Sequence, residues 1–73
     1  MTFELLETVV LSRDLPEHDL RVGDVGAVVE VYTDADFEVE FVRASGETKA
    51  LVALASSDVR SVAPNDMLAV RAS

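Results

Sequence analysis

Phe37-Glu38-Val39-Glu40-Phe41 alternates apolar and acidic residues without a break. Successive side chains of a β-strand point to opposite faces, so this stretch sets Phe37, Val39 and Phe41 on one side and the two glutamates on the other. The apolar side predicts a core and the acidic side predicts water. The strand is read over Phe37–Arg43. Before it, Ala27–Tyr32 (AVVEVY) is rich in β-branched residues, and after it Thr48–Ala55 (TKALVALA) continues the pattern. Thr33-Asp34-Ala35-Asp36 joins the first pair without a glycine, which suits a type I turn inside a four-residue loop. Ala44-Ser45-Gly46-Glu47 joins the second pair, with Gly46 able to take the positive φ that closes such hairpins. The three segments form a meander.

Farther out, Thr8–Ser12 (TVVLS) and Val59–Val62 (VRSV) read as the first and last strands. Arg13 to Gly23 contains Pro16 and is too polar and broken for a useful helix, so a long loop pinned by Leu15 and Leu20 is expected. Ser56-Ser57-Asp58 offers hydroxyl and carboxylate caps for a single 3₁₀ turn before the last strand. These ingredients predict an all-β fold over residues 1–63: a small, five-stranded, SH3-like, partly open barrel. An OB-type barrel is longer and carries a helix between strands three and four, where this chain has four residues. Val9, Leu11, Leu20, Val28, Val31, Val39, Phe41, Leu51 and Val59 are expected in the core. In residues 64–73, Asn65-Asp66 is able to cap a short helix holding Met67, Leu68 and Val70. So few residues are marginal alone, and the tail is read as weakly ordered or a short helix.

Gly23-Asp24-Val25-Gly26-Ala27-Val28-Val29-Glu30-Val31 has the G-D-x-G-x-V-x-x-V spacing of KOW-like strands. The three-residue step from Val28 to Val31 implies a bulge that keeps both inward. Taken with Leu6, Thr8-Val9-Val10-Leu11, Asp14-Leu15-Pro16-Glu17-His18, Leu20, Tyr32, Glu38 to Phe41, Gly46-Glu47-Thr48 and Leu51, the chain resembles a family of small stand-alone bacterial proteins of unknown function. The resemblance covers about residues 3 to 62. It implies an SH3-like or KOW-like barrel, brings no catalytic residues to transfer, and raises an antitoxin or immunity role. The Asp34-Ala35-Asp36 turn lacks the glycine expected there, and the tail after Ala63 lies outside the pattern.

With 73 residues the chain is one domain, and 49% apolar composition is that of a packed globule. A domain of this size has little room for a deep substrate cavity. Fourteen acidic side chains against six basic ones give a net charge of −8, which opposes phosphate backbones and anionic lipid heads. Neither nucleic acid nor membrane is an expected partner. The longest apolar run, Ala50 to Ala55, is far below the ~20 residues needed to cross a bilayer. No basic cluster precedes an apolar stretch in the first fifteen residues, so export is not expected. The absence of cysteine removes disulfides and thiolate chemistry and fits the cytoplasm.

His18 is the only histidine, and its neighbours Asp14 and Asp19 are the carboxylates a general base would use. No G-x-S-x-G elbow accompanies it, so a solvated loop histidine is the expected reading. Asp34, Asp36, Glu38 and Glu40 echo the start of a calcium loop, but Val39 stands where glycine is needed and Ser45 where a bidentate glutamate is needed. Tyr32, three phenylalanines and no tryptophan are too few aromatics for a polyproline groove. No catalytic residue, cofactor or metal site is therefore expected. What stands out is Glu30, Asp36, Glu38 and Glu40, gathered on one wall of the barrel. Like charges on adjacent strands repel unless a basic partner or water relieves them. The expected function is a non-catalytic protein-binding module that engages a basic partner through this acidic strand face. A small accessory subunit of a larger enzyme and an RNA-associated barrel are the alternatives.

Overall fold

The computed structural model describes residues 3–63, which hold five strands and two 3₁₀ turns. In chain order they are β1 (Thr8–Leu11), a turn at Pro16–His18, β2 (Val25–Val31), β3 (Asp36–Val42), β4 (Thr48–Ala55), a turn at Ser56–Asp58 and β5 (Val59–Ser61). All five strands pair antiparallel in one sheet of order β4-β3-β2-β1-β5. The sheet is partly open, with β4 and β5 as its edges. The expected short helix at Met67, Leu68 and Val70 lies outside the described residues.

β3 orders the rest. Its alternation survives in the fold: Phe37, Val39 and Phe41 are buried, whereas the residues between them are half-buried. Their cross-strand partners Leu54, Val52 and Ala50 on β4, and Gly26 and Val28 on β2, share the core side. Val9, Leu11 and Val59 complete the strand contribution. Phe3, ahead of the first strand, seals one end, its ring 5.3 Å from that of Phe37 and tilted by 54°. Nothing in the sequence pattern marks Phe3 as core, because it sits outside any periodic run.

The long loop is pinned as expected. Leu15 and Leu20 are both buried and form an isolated antiparallel bridge. Between them Pro16 starts a 3₁₀ turn, its fixed φ suiting the first helical position. Asp19 closes that turn at φ 54°. The β2–β3 connection needs no glycine because none of its residues has a positive φ. Thr33 organises it instead: its Oγ1 accepts hydrogen bonds from the amides of Ala35 (3.1 Å) and Asp36 (3.0 Å). In the β3–β4 connection Gly46 does take φ 91°, as its place in the hairpin demands.

Two expected core residues are corrected. Leu51 is 54% exposed, because the β3–β4 register sets it opposite Glu40 on the outer face. Val31 is brought to the core side, opposite Phe37, by a bulge between Val28 and Glu30. At the end of the strand, however, 41% of it remains exposed. The bulge works as expected, but the sheet ends before anything covers the side chain.

Asp58 clamps the turn that leads into β5. Its Oδ1 accepts from Arg13 Nε at 2.7 Å, its Oδ2 from the Ala55 amide at 3.0 Å, and its carbonyl from the Ser12 amide at 2.8 Å. The hydrogen bond from Arg13 holds the carboxyl below its ordinary value, partial burial opposes this, and the Ala55 amide adds to it. A carboxylate whose folded pKa is depressed contributes stability above its unfolded value, and that contribution is lost as pH falls through the folded one. Asp58→Ala is expected to cost about 1–2 kcal/mol at neutral pH. In urea titrations the gap to the parent should narrow below about pH 4, near the unfolded carboxyl value. A gap that stays constant to pH 2 would contradict the role of the ionised form.

Candidate functional site

The outer face of β2, β3 and β4 carries the four acidic residues singled out by pattern. Asp36, Glu38 and Glu40 occupy every second position of β3, and alternate residues of a strand lie about 6.8 Å apart. Glu30 of β2 pairs directly with Glu38. On the other flank Asp36, Glu38 and Glu40 stand opposite Ala55, Ala53 and Leu51 of β4. The face is thus an acidic row with a second acid beside it and a low apolar strip along the other side.

Local hydroxyls hold these carboxylates. Tyr32 Oη donates to Glu38 Oε1 at 2.8 Å, Thr48 Oγ1 to Glu40 Oε2 at 2.7 Å, and Thr33 Oγ1 to Asp36 Oδ2 at 3.1 Å. The bond to Glu38 raises the Tyr32 phenol above its ordinary pKa, because losing the proton would set a second negative charge against the carboxylate. A neutral donor orients a carboxylate without cancelling its charge. The ion pairs described in the fold are Arg13 with Asp58 and Lys49 with Asp19 (3.5 Å), and neither includes a carboxylate of this row.

Two like charges directly opposite on neighbouring strands are destabilising, and cross-strand pairs carry roughly 0.2–1 kcal/mol. Glu38→Gln keeps an acceptor for Tyr32 while removing that repulsion. The variant is therefore expected to be more stable than the parent by a few tenths of a kcal/mol up to about 1 kcal/mol, with the gain shrinking as salt is added. Denaturation at low and high salt checks this, and a variant less stable than the parent at low salt would contradict it.

Tyr32 and Leu51 belong to this face and were not among the residues singled out by pattern. Tyr32 was legible, since it lies two positions beyond Glu30. Leu51 was not, because the run Ala50 to Ala55 is apolar throughout and shows no period.

Other chemistries find little support in the geometry. His18 is exposed in the first 3₁₀ turn, and the acids beside it are directed elsewhere. Asp14 accepts from the Val22 amide at 2.8 Å, and Asp19 faces Lys49. All three phenylalanines are buried, which leaves Tyr32 as the one exposed aromatic residue of the chain. Among the described residues no three acidic or imidazole groups converge as they would around a metal ion. A shallow groove of about 320 Å³ runs along Phe3, Ser56, Ser57, Val59, Arg60 and Ser61. Its Ser61 hydroxyl donates to Glu7 at 3.2 Å, a contact that ties the start of the chain to β5. No helix among the described residues is long and apolar enough to cross a membrane.

A family model described as a domain of unknown function (DUF4926) matches residues 5–61, and the chain belongs to that family. No curated protein and no solved structure matches it.

Proposed function

We propose, from the surface of this chain and its membership of that family, that it is a non-catalytic protein-binding module whose acidic β3 face engages a basic partner protein. The role would be of an antitoxin, immunity or scaffolding kind, in the cytoplasm. One observation carries the reading: Glu30 and Glu38 are set directly against each other, Glu38 is held by the neutral Tyr32 hydroxyl, and neither belongs to an ion pair among the described residues. A fold that keeps this repulsion has a use for the charge, and an incoming Arg or Lys converts the cost into attraction. The engaged neighbours of His18 and the shallowness of the groove along Phe3 and Val59 favour binding over catalysis. An SH3-like or KOW-like classification is part of the same proposal. It is supported by the long pinned loop, the meander of β2, β3 and β4, the 3₁₀ turn before β5 and the pairing of β1 with both β2 and β5.

Immobilised parent and Glu38→Lys/Glu40→Lys protein, each exposed to lysate of the native host at low salt, provide the first test. A basic protein is expected on the parent and absent from the double variant. The same proteins retained by both would overturn the reading. Reversal of half-buried surface charges is expected to shift stability by only about 0.5 kcal/mol, so matching thermal melts would confirm that the variant is folded.

A further inference from the structure

We infer that the open edge of β4 takes up an extended segment of the basic partner as a sixth strand. The inference rests on the function proposed above and specifies how that partner is held.

The hydrogen-bond phase of β4 defines the edge. The Ser56 amide donates to the Ala35 carbonyl at 2.8 Å, which makes Ala35 and Ser56 a hydrogen-bonded pair. Such pairs alternate along an antiparallel ladder, so Phe37 with Leu54, Val39 with Val52 and Phe41 with Ala50 are bonded as well. The residues between them, Leu51, Ala53 and Ala55, turn their amides and carbonyls away from β3. Ala55 confirms the phase, because its amide meets the Asp58 carboxylate at 3.0 Å on that outer side. The backbone groups of Leu51 and Ala53 meet no described partner there.

Edge strands are normally protected by charges, prolines or bulges. In β4 the protection sits at the ends. Lys49 lies at the register shift between Phe41 and Val42, and Asp58 closes the other end. From Ala50 to Ala55 there is no charge, proline or glycine. The open stretch is short and uncharged, which is the kind of edge that strand addition uses.

Charge selects the occupant. A sixth strand lies about 4.8 Å from β4, hence ~10 Å from β3, so an added side chain opposite Ala53 faces Glu38 across a single methyl group. A long cationic side chain spans that gap toward the carboxylate. Two residues farther along the added strand, the same face meets exposed Leu51 and suits an apolar side chain. A second copy of this chain is the poorer fit, because it would bring another −8 of charge and its own row of glutamates to the same sheet.

The test uses the full chain labelled with ¹⁵N and a synthetic nine-residue peptide whose odd positions are in turn arginine and valine, with threonine at the even positions, so that both side chains share one face of the added strand. A second peptide is N-methylated at every other amide, which preserves its charge but removes its strand-pairing donors. The Leu51 and Ala53 amides are expected to exchange fast in the free protein, and binding of the first peptide is expected to slow them. The methylated peptide is expected to bind about tenfold more weakly, the effect of losing two hydrogen bonds. Weaker binding of the first peptide to Glu38→Lys/Glu40→Lys protein would support the cationic occupant. Equal affinity for both peptides, lost in the double variant, would overturn edge addition and leave the acidic face as the binding surface. Protection of Leu51 and Ala53 that persists undiminished in the double variant would overturn the charge selection. Concentration-dependent protection without peptide would identify a second copy as the occupant, and no binding of either peptide would also overturn the inference.

Discussion

Phe41→Ala is expected to lower the unfolding free energy by about 3–5 kcal/mol, the range for truncating a buried aromatic ring. Phe41 is 2% exposed, and its strand partners are Gly26 and Ala50, both too small to fill the space its ring occupies. Neither neighbour can swell into the cavity, so little of the cost is recovered by relaxation. At about 0.05–0.15 kcal/mol per residue, a chain of this length has roughly 4–11 kcal/mol in total. The variant is therefore expected to be at or below marginal stability at 37 °C. Thermal and urea unfolding followed by circular dichroism measure the effect, and a melt matching the parent would contradict the packing described here.

Gly26→Ala is expected to be the most damaging single-methyl insertion in the fold, at about 1–3 kcal/mol. Its backbone conformation is one any residue adopts; the constraint is space. A Cβ at this position would lie 2.5 Å from Val39 Cγ1, 2.9 Å from Phe41 Cε1 and 3.0 Å from the Glu40 carbonyl oxygen. Valine is stiff about χ1 and the carbonyl belongs to the ladder, so neither moves aside cheaply. Combining Gly26→Ala with Val39→Ala should restore part of the loss, giving a coupling of at least 0.5 kcal/mol in a double-mutant cycle. Additive effects would show that the crowding between β2 and β3 is not what selects glycine here.

These two variants also mark what the sequence made legible. The strict alternation of Phe37 to Phe41 announces both the core and the acidic row, because one residue type per face leaves a single register that buries the apolar set. The step from Val28 to Val31 carries the bulge in the same way. Where every residue is apolar the period vanishes, and the orientation of Leu51 is decided by its partner strand rather than by its own neighbours. Phe3 is a different case, since a lone aromatic outside any strand joins the core only through the tertiary contact with Phe37. Val31 shows a third limit: parity assigns a face, but burial also requires a neighbouring element to cover it. For the candidate site, Asp36, Glu38 and Glu40 could be read from period, and Glu30 from the bulge implied by the step from Val28 to Val31. The hydroxyls of Tyr32, Thr33 and Thr48 that hold them could not, because those contacts depend on pairings across strands and turns.

The acidic face and the open edge lie on adjacent strands, so a single extended basic segment would engage both. That arrangement separates long-range attraction from local fit. In the proposed complex, charge on Glu30, Glu38 and Glu40 would speed the encounter and be screened once the Debye length falls to about 8 Å at physiological salt. Backbone pairing along Leu51 and Ala53 would be short-ranged and largely indifferent to salt.

The most direct measurement is the affinity of the captured basic partner for the parent and for Glu38→Lys/Glu40→Lys protein at two salt concentrations. The parent is expected to bind more tightly, with its advantage greatest at low salt and reduced at high salt. Equal affinities with equal salt slopes would contradict the assignment of this face as the partner-binding surface.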